Sequence, residues 1–311
     1  MAGRCPCPTG RGKSDLEDWS ALARSERRTR EGLFRRSHKG IRGPRLFRQK
    51  ERSVLTQISG GDSRTFRALA RELVEDKVDV IIAVTEQGAK EVRRATSTIP
   101  AVVVLTPDPI RAGLAESLAR PGGNFTGLSL MNNDLTGKRL SLMKEVIPNL
   151  SRIALLTDIG TASSVPAYVD AAKTAGLSLK SITLTEPDSI DVAFAELARD
   201  RFDAAIVFGA MMFNERVRVG SQALANKIPT EVIIAEMARE EGVLFSYGQD
   251  FPEFFRKAAI YADWILKGAN PANLPIEQPT RFKFVVNVKT ARAMGLSIPA
   301  SMLLLADEII E

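Results

Sequence analysis

From Ser53 to the C terminus, short continuous apolar runs alternate with longer segments whose apolar residues recur every three or four positions. The first pattern fits a strand buried on both faces and the second an amphipathic helix. A strand is expected at Val54 to Ser59, followed by a Gly60-Gly61-Asp62-Ser63 turn and N-cap. A helix from Arg64 to Glu75 then follows, with Phe66, Leu69, Ala70 and Leu73 on one face. Next come strand Val78 to Val84, helix Glu86 to Ala95, strand Ala101 to Thr106, helix Ile110 to Leu118 and strand Thr126 to Leu130. Helix Leu135 to Ile147 starts a second series, with strands at Ile153 to Thr157, Leu179 to Leu184, Ala204 to Phe208, Thr230 to Ala235 and Val243 to Tyr247. Its helices run Ser163 to Ala175, Ile190 to Arg199 and Glu215 to Asn226. A long helix, Phe251 to Lys267, precedes a tail with a strand at Phe282 to Val286 and two further helices.

Two successive β-α series, each rich in Val and Ile, predict an α/β fold of two Rossmann-like lobes with parallel sheets. Residues 53–130 with about 248–275 form the first expected lobe, and 131–247 with about 276–311 the second. A chain of 311 residues is long enough for two such domains.

Charge sets the remaining N-terminal segment apart. Residues 1–52 carry 15 Lys and Arg against 6 Asp and Glu, a net of +9, while the rest carries 28 against 31, a net of −3. The overall +6 therefore belongs to this segment, and a near-neutral body offers no electrostatic footprint for nucleic acid. Its Arg, Gly, Pro and Ser bias and lack of apolar period read as a basic, disordered or aberrant tail. No apolar h-region of a secretory signal is visible in it. Cys5, Cys7 and His38, all the cysteine and histidine present, also lie there. The body thus lacks the residues of imidazole catalysis and of most metal sites, and we expect no catalytic residue, no metal and no cofactor.

In open parallel sheets, ligands bind beyond the carboxyl ends of the strands, beside helix N-termini. The loops to inspect are Thr85 to Gly88, Thr106 to Pro109, Asp158 to Ser164, Gly209 to Asn214 and Tyr247 to Asp250. They combine hydroxyls, amides, carboxylates and a few bulky groups, which would suit a zwitterion. Each polar residue could equally serve as a helix cap. The glycine-rich Arg120 to Gly127 precedes a strand and lacks the Lys-Ser/Thr ending of a phosphate loop, so it reads as a turn.

Several linked motifs resemble the TrpX-type ABC transporter substrate-binding proteins. They are Pro107-Asp108-Pro109 with Ala112-Gly113-Leu114, Ser117 to Gly127, Thr136-Gly137-Lys138-Arg139-Leu140 and Ser246-Tyr247-Gly248 with Asp250. Ile265 to Thr280, Leu296 to Pro299 and Ala306-Asp307-Glu308 complete the set. The resemblance spans about residue 54 to the end. It implies a type I periplasmic binding protein fold with three crossings between lobes, no catalytic activity, a small organic solute such as an amino acid, and membrane-embedded ABC permease subunits as partners. It also implies a monomer in the periplasm. Carried onto this chain, the expected ligand-binding residues are Thr85, Glu86, Gln87, Thr106, Asp108, Ser163, Ser164, Met211, Tyr247 and Asp250. Such proteins begin with a secretory signal and a first strand. Here the basic segment stands in that place, so the first lobe is expected to lack its first strand and to leave neighbouring strand edges unpaired. A frame disruption or misplaced start near residue 50 would account for this. Gln249 stands where the family pattern has Pro, and Asp158 where it has Asn followed by Pro. Two other readings fit the same architecture: a repressor-type regulator whose basic segment contacts DNA, and a nucleotide- or sugar-dependent enzyme. A salt-dependent DNA shift would mark the first, and a functional base or phosphate loop the second.

Overall fold

Whether a strand's side chains are buried on one face or both decides how its sequence reads, and the first sheet shows why its runs are continuous. The computed structural model describes residues 45–49, 52–57, 63–130, 133–279 and 281–311, and these form one compact unit. Cys5, Cys7, His38 and the turn expected at Gly60-Gly61-Asp62 lie outside the described residues. Strands β1 (Arg45–Gln49), β2 (Arg52–Gln57), β3 (Val80–Thr85), β4 (Ala101–Thr106) and β5 (Phe125–Ser129) form a sheet in sequential order. Val80, Ile82, Val102 and Val104 point into one core and Ile81, Ala83, Ala101 and Val103 into another on the opposite face. The second face is covered by helices α1 (Ser63–Glu75) and α2 (Glu86–Ala95), through Ala70, Leu73, Ala89 and Val92.

The N-terminal edge of this sheet corrects two expectations. β1 lies within the segment read as irregular, and pairs antiparallel with β2 from Arg45↔Thr56 to Gln49↔Arg52. Backbone pairing of this kind calls for no apolar period along the strand, so the sequence pattern gives little sign of it. β2 in turn pairs directly and in parallel with β3, from Val54↔Val80 to Gln57↔Ala83. The edge of β3 expected to be bare is therefore occupied. A third correction concerns Ile110 to Leu118, which form turns rather than a helix. Gly113 adopts φ +72°, and Gly113 N–H bonds to the Ile110 carbonyl, so the chain reverses before a second helical turn can close.

The second sheet has seven strands in the order β12-β11-β10-β9-β8-β6-β7. Here β6 is Arg152–Asp158, β7 Ser178–Leu184, β8 Ala204–Phe208, β9 Thr230–Val232, β10 Phe245–Gln249, β11 Phe282–Asn287 and β12 Glu308–Ile310. All neighbours are parallel except β10 and β11. Its helices are α3 (Thr136–Val146), α4 (Val165–Thr174), α5 (Ser189–Arg199), α6 (Ala210–Asn214), α7 (Arg216–Ala225) and α8 (Ala235–Ala238). A 3-10 turn, Ile159–Ser164, precedes α4. β9 ends earlier than its apolar run suggests, because Ile233 and Ile234 lead into α8; α6 falls where a loop was expected. Helix α9 (Phe251–Leu266) leaves the second sheet after β10 and packs on β3, β4 and β5 of the first. The chain then returns to β11. Helices α10 (Val288–Ala293) and α11 (Ala300–Leu305) separate β11 from β12.

Candidate functional site

The carboxyl ends of β3 and β6 carry the loops that meet between the lobes. Thr85 ends β3 and caps α2, its Oγ1 accepting the Gly88 N–H at 3.1 Å. That capping fixes Glu86 and Gln87 on the first turn, where the helix dipole favours a carboxylate. Glu86 is buried and pairs with Lys90 one turn on. Its Oε2 also accepts a hydrogen bond from Ser163 Oγ at 3.2 Å, across 77 positions and from the other lobe. Gln87 reaches the same loop: a Cβ built on Gly160 would lie 3.5 Å from Gln87 Oε1 and 3.4 Å from Asp158 Oδ1.

Two of the expected residues carry buried hydroxyls without hydrogen-bond partners among the described residues. Thr106, at the end of β4, is fully buried and its Oγ1 is unpaired; so is the buried Ser164 Oγ. A buried hydroxyl left unpaired costs about 1–3 kcal/mol, so such groups point to something they are kept for. Met211, 8 % exposed, opens the second turn region after β8.

Other expected residues are occupied within the fold. Asp108 Oδ1 accepts the N–H groups of Ile110 (3.1 Å) and Arg111 (2.9 Å), shaping the turn that replaces the expected helix. Asp250 caps α9 by accepting the Glu253 N–H at 3.2 Å. Tyr247 lies on β10 with its ring against Phe282 and Phe284, and its carbonyl accepts Arg139 Nε at 2.8 Å. The structure thus brings Glu86, Gln87 and Ser163 together, sets Thr85 and Thr106 on neighbouring strand ends, and puts Tyr247 and Asp250 at a crossing between lobes.

Three residues stand outside the expected ligand-binding set. Asp158 is buried; its Oδ2 accepts the Met211 N–H at 3.0 Å and its Oδ1 the Thr161 hydroxyl at 2.9 Å. Gly209 makes room for it: at φ +143°, a Cβ there would sit 2.5 Å from Asp158 Oδ2. Arg139 is fully buried on α3, where it donates to Tyr168 Oη at 2.8 Å and lies 3.5 Å from Glu231 Oε1. Burial pushes the Glu231 carboxyl up to about 7, with the Arg139 charge holding it partly back. An Arg amid Leu and Met on a predicted core helix was the available signal. Among the described residues, no cluster of three or more metal-ligating side chains occurs, and no helix is long and apolar enough to cross a membrane.

Known proteins are similar to this chain in sequence and in fold. A "Tyrosine-binding protein" of Clostridioides difficile (strain R20291) is 26 % identical over 249 residues, covering 77 % of this chain and 70 % of that protein. The crystal structure of an ABC domain in complex with L-Trp from Streptococcus pneumonia superposes with a TM-score of 0.74 at 26 % identity, covering 80 % of this chain and 85 % of that one. A conserved domain protein from Vibrio cholerae O1 biovar El Tor gives 0.75 at 24 % identity, covering 80 % and 84 %. The family described as ABC transporter substrate binding protein matches residues 46–310. With two α/β lobes meeting at their strand-end loops over that same span, this chain belongs to the ABC transporter substrate-binding protein family and is a solute-binding component of an importer.

Proposed function

We propose that this protein captures an α-amino acid, with an aromatic or other apolar side chain, between its lobes and presents it to ABC permease subunits. The observation that carries the reading is the Ser163–Glu86 hydrogen bond, which joins a strand-end loop of each lobe at the place where a solute would be enclosed. Glu86 and Asp158 supply negative charge for an ammonium. The hydroxyls of Thr106, Ser163 and Ser164 and the amide of Gln87 suit a carboxylate, and Met211 and Tyr247 an apolar side chain. Thr85, Asp108 and Asp250 act by shaping the loops that present these groups. The tyrosine-binding and L-Trp-bound relatives support an aromatic solute. On this reading the protein works as a monomer in the periplasm, has no catalytic activity and binds no nucleic acid.

Thermal-shift screening of the full chain against the twenty amino acids tests this. A ligand at a hundred times its Kd adds about 2.7 kcal/mol and raises Tm by roughly 5–10 °C for a body of this size. Calorimetry with Ser163→Ala is expected to show about tenfold weaker binding, the loss of one charge-assisted hydrogen bond. No shift with any amino acid would overturn the reading.

A further inference from the structure

The chain passes between the lobes three times: between β5 and α3, between β10 and α9, and between Ile276 and β11. Two sets of bonds fasten these passages within a lobe. On the first-lobe side, Ser129 N–H donates to the Glu277 carbonyl and Glu277 N–H to the Gly127 carbonyl, both at 2.9 Å. On the second-lobe side, Arg139 joins the start of α3 to the Tyr247 carbonyl.

Gln249 runs differently. It is the last residue of β10, in register with Phe282 in the second sheet, and its side-chain Nε2 donates to the carbonyl of Leu130. Leu130 follows β5, and its own N–H bonds to the Thr106 carbonyl at 3.0 Å in the first sheet. The bond thus joins the first-lobe side of one passage to the second-lobe side of another, 119 positions apart. Gln249 is fully buried, so water does not compete for the Leu130 carbonyl, and its Oε1 is left without a partner. Methionine would fill the same length with no polar atom to strand. The amide donor is therefore what the position supplies.

We propose that Gln249 is a positioning residue for solute capture: a pin between two passages that holds the lobes in register as they close. The proposal rests on the reading of function above. A bond lying among the passages is close to any axis about which the lobes swing, so it survives opening while resisting slide and twist. The Ser163–Glu86 bond lies between loops that must part when the site opens. Because Leu130 is bonded to Thr106, slippage at the pin also displaces a candidate ligand-binding residue.

The test uses the full chain with Cys5→Ser and Cys7→Ser, spin-labelled at the exposed positions Arg93→Cys and Lys173→Cys, one in each lobe. Distances between the labels are measured by double electron–electron resonance with and without saturating L-tyrosine or L-tryptophan. In the parent protein one of these ligands should narrow the distribution to a single shorter peak. Gln249→Met should keep a broad distribution with ligand and bind about tenfold more weakly, through faster dissociation. Gln249→Ala serves as a second variant, and circular dichroism reports whether each folds. A variant that folds, narrows like the parent and binds within twofold overturns the pin alone. A parent distribution that neither these two ligands nor any other of the twenty amino acids narrows overturns the functional reading and the pin with it.

Discussion

Replacing Arg139 with Met keeps the aliphatic stem and removes the guanidinium from a fully buried site. Two acceptors, the Tyr247 carbonyl and the Tyr168 hydroxyl, each lose a donor that stood at 2.8 Å, at about 1 kcal/mol apiece. This part does not depend on pH. The second part does, because Glu231 loses the one charge that favours its ionised form. In the parent protein the Glu231 carboxyl takes up its proton below about 7, against 4.5 for the free side chain. The native state therefore binds more protons in that window, and stability falls as pH rises from 4.5 through 7, by roughly 3 kcal/mol in all. Without Arg139 the carboxyl moves higher still. Below pH 6 it is neutral in both proteins, so the extra cost grows only above about pH 7, toward the 3–5 kcal/mol of a buried charge stripped of its partner. Urea unfolding followed by circular dichroism should show Arg139→Met destabilised by about 2 kcal/mol at pH 6 and about 4 or more at pH 9. Adding Glu231→Gln should remove the difference between the two pH values. Equal losses at both, or a loss below about 0.5 kcal/mol, would refute the reasoning.

Gly209→Ala forces a methyl onto the Asp158 carboxylate at a φ of +143°, and should lower stability by about 2 kcal/mol or more and weaken solute binding. A thermal melt and calorimetry check both, and a variant indistinguishable from the parent would refute the tight seat. At the C terminus, Arg239 holds Glu308 through two bonds of 2.8 and 3.0 Å, with Lys283 at 3.0 Å. These cations, opposed by partial burial, bring the carboxyl down to about 2, so its stabilisation is present above 4.5 and fades as pH falls toward 2. The cluster is about a third exposed, which limits Glu308→Gln to about 1 kcal/mol at pH 7 and nothing near pH 2, readable by urea melts at the two pH values.

Much of the fold is legible because both faces of its sheets are covered. Ala101–Thr106 and Ala204–Phe208 are strands at the limits their apolar runs set, and Glu86–Ala95 is the helix its spacing predicts. What failed was decided by single residues or by backbone pairing. Gly113 cut short an apparently periodic helix, and β1 is held by a hairpin partner rather than by a pattern of its own. The candidate site was legible as loops but not as bonds. Position after a strand marked Glu86 and Ser163 separately, yet only folding reveals that they meet. Asp108 and Asp250 could be read equally as ligand contacts or as caps, since both call for the same residue types, and only the structure shows the backbone N–H groups they accept. Arg139 and Gln249 needed the tertiary structure, because their partners lie 108 and 119 positions away.

The excursion of α9 sets a timetable for synthesis. Phe254, Ala258, Tyr261 and Ile265 belong to the same core as Val80, Ile82, Val102 and Val104 of the first sheet. Yet β5 ends at Ser129 and α9 begins at Phe251. At about 5–20 residues per second, a ribosome needs roughly 6–24 s to bridge that stretch. For that long the nascent sheet has one oily side with no lid of its own, and the first half of the gene cannot yield a finished unit, however early its strands pair.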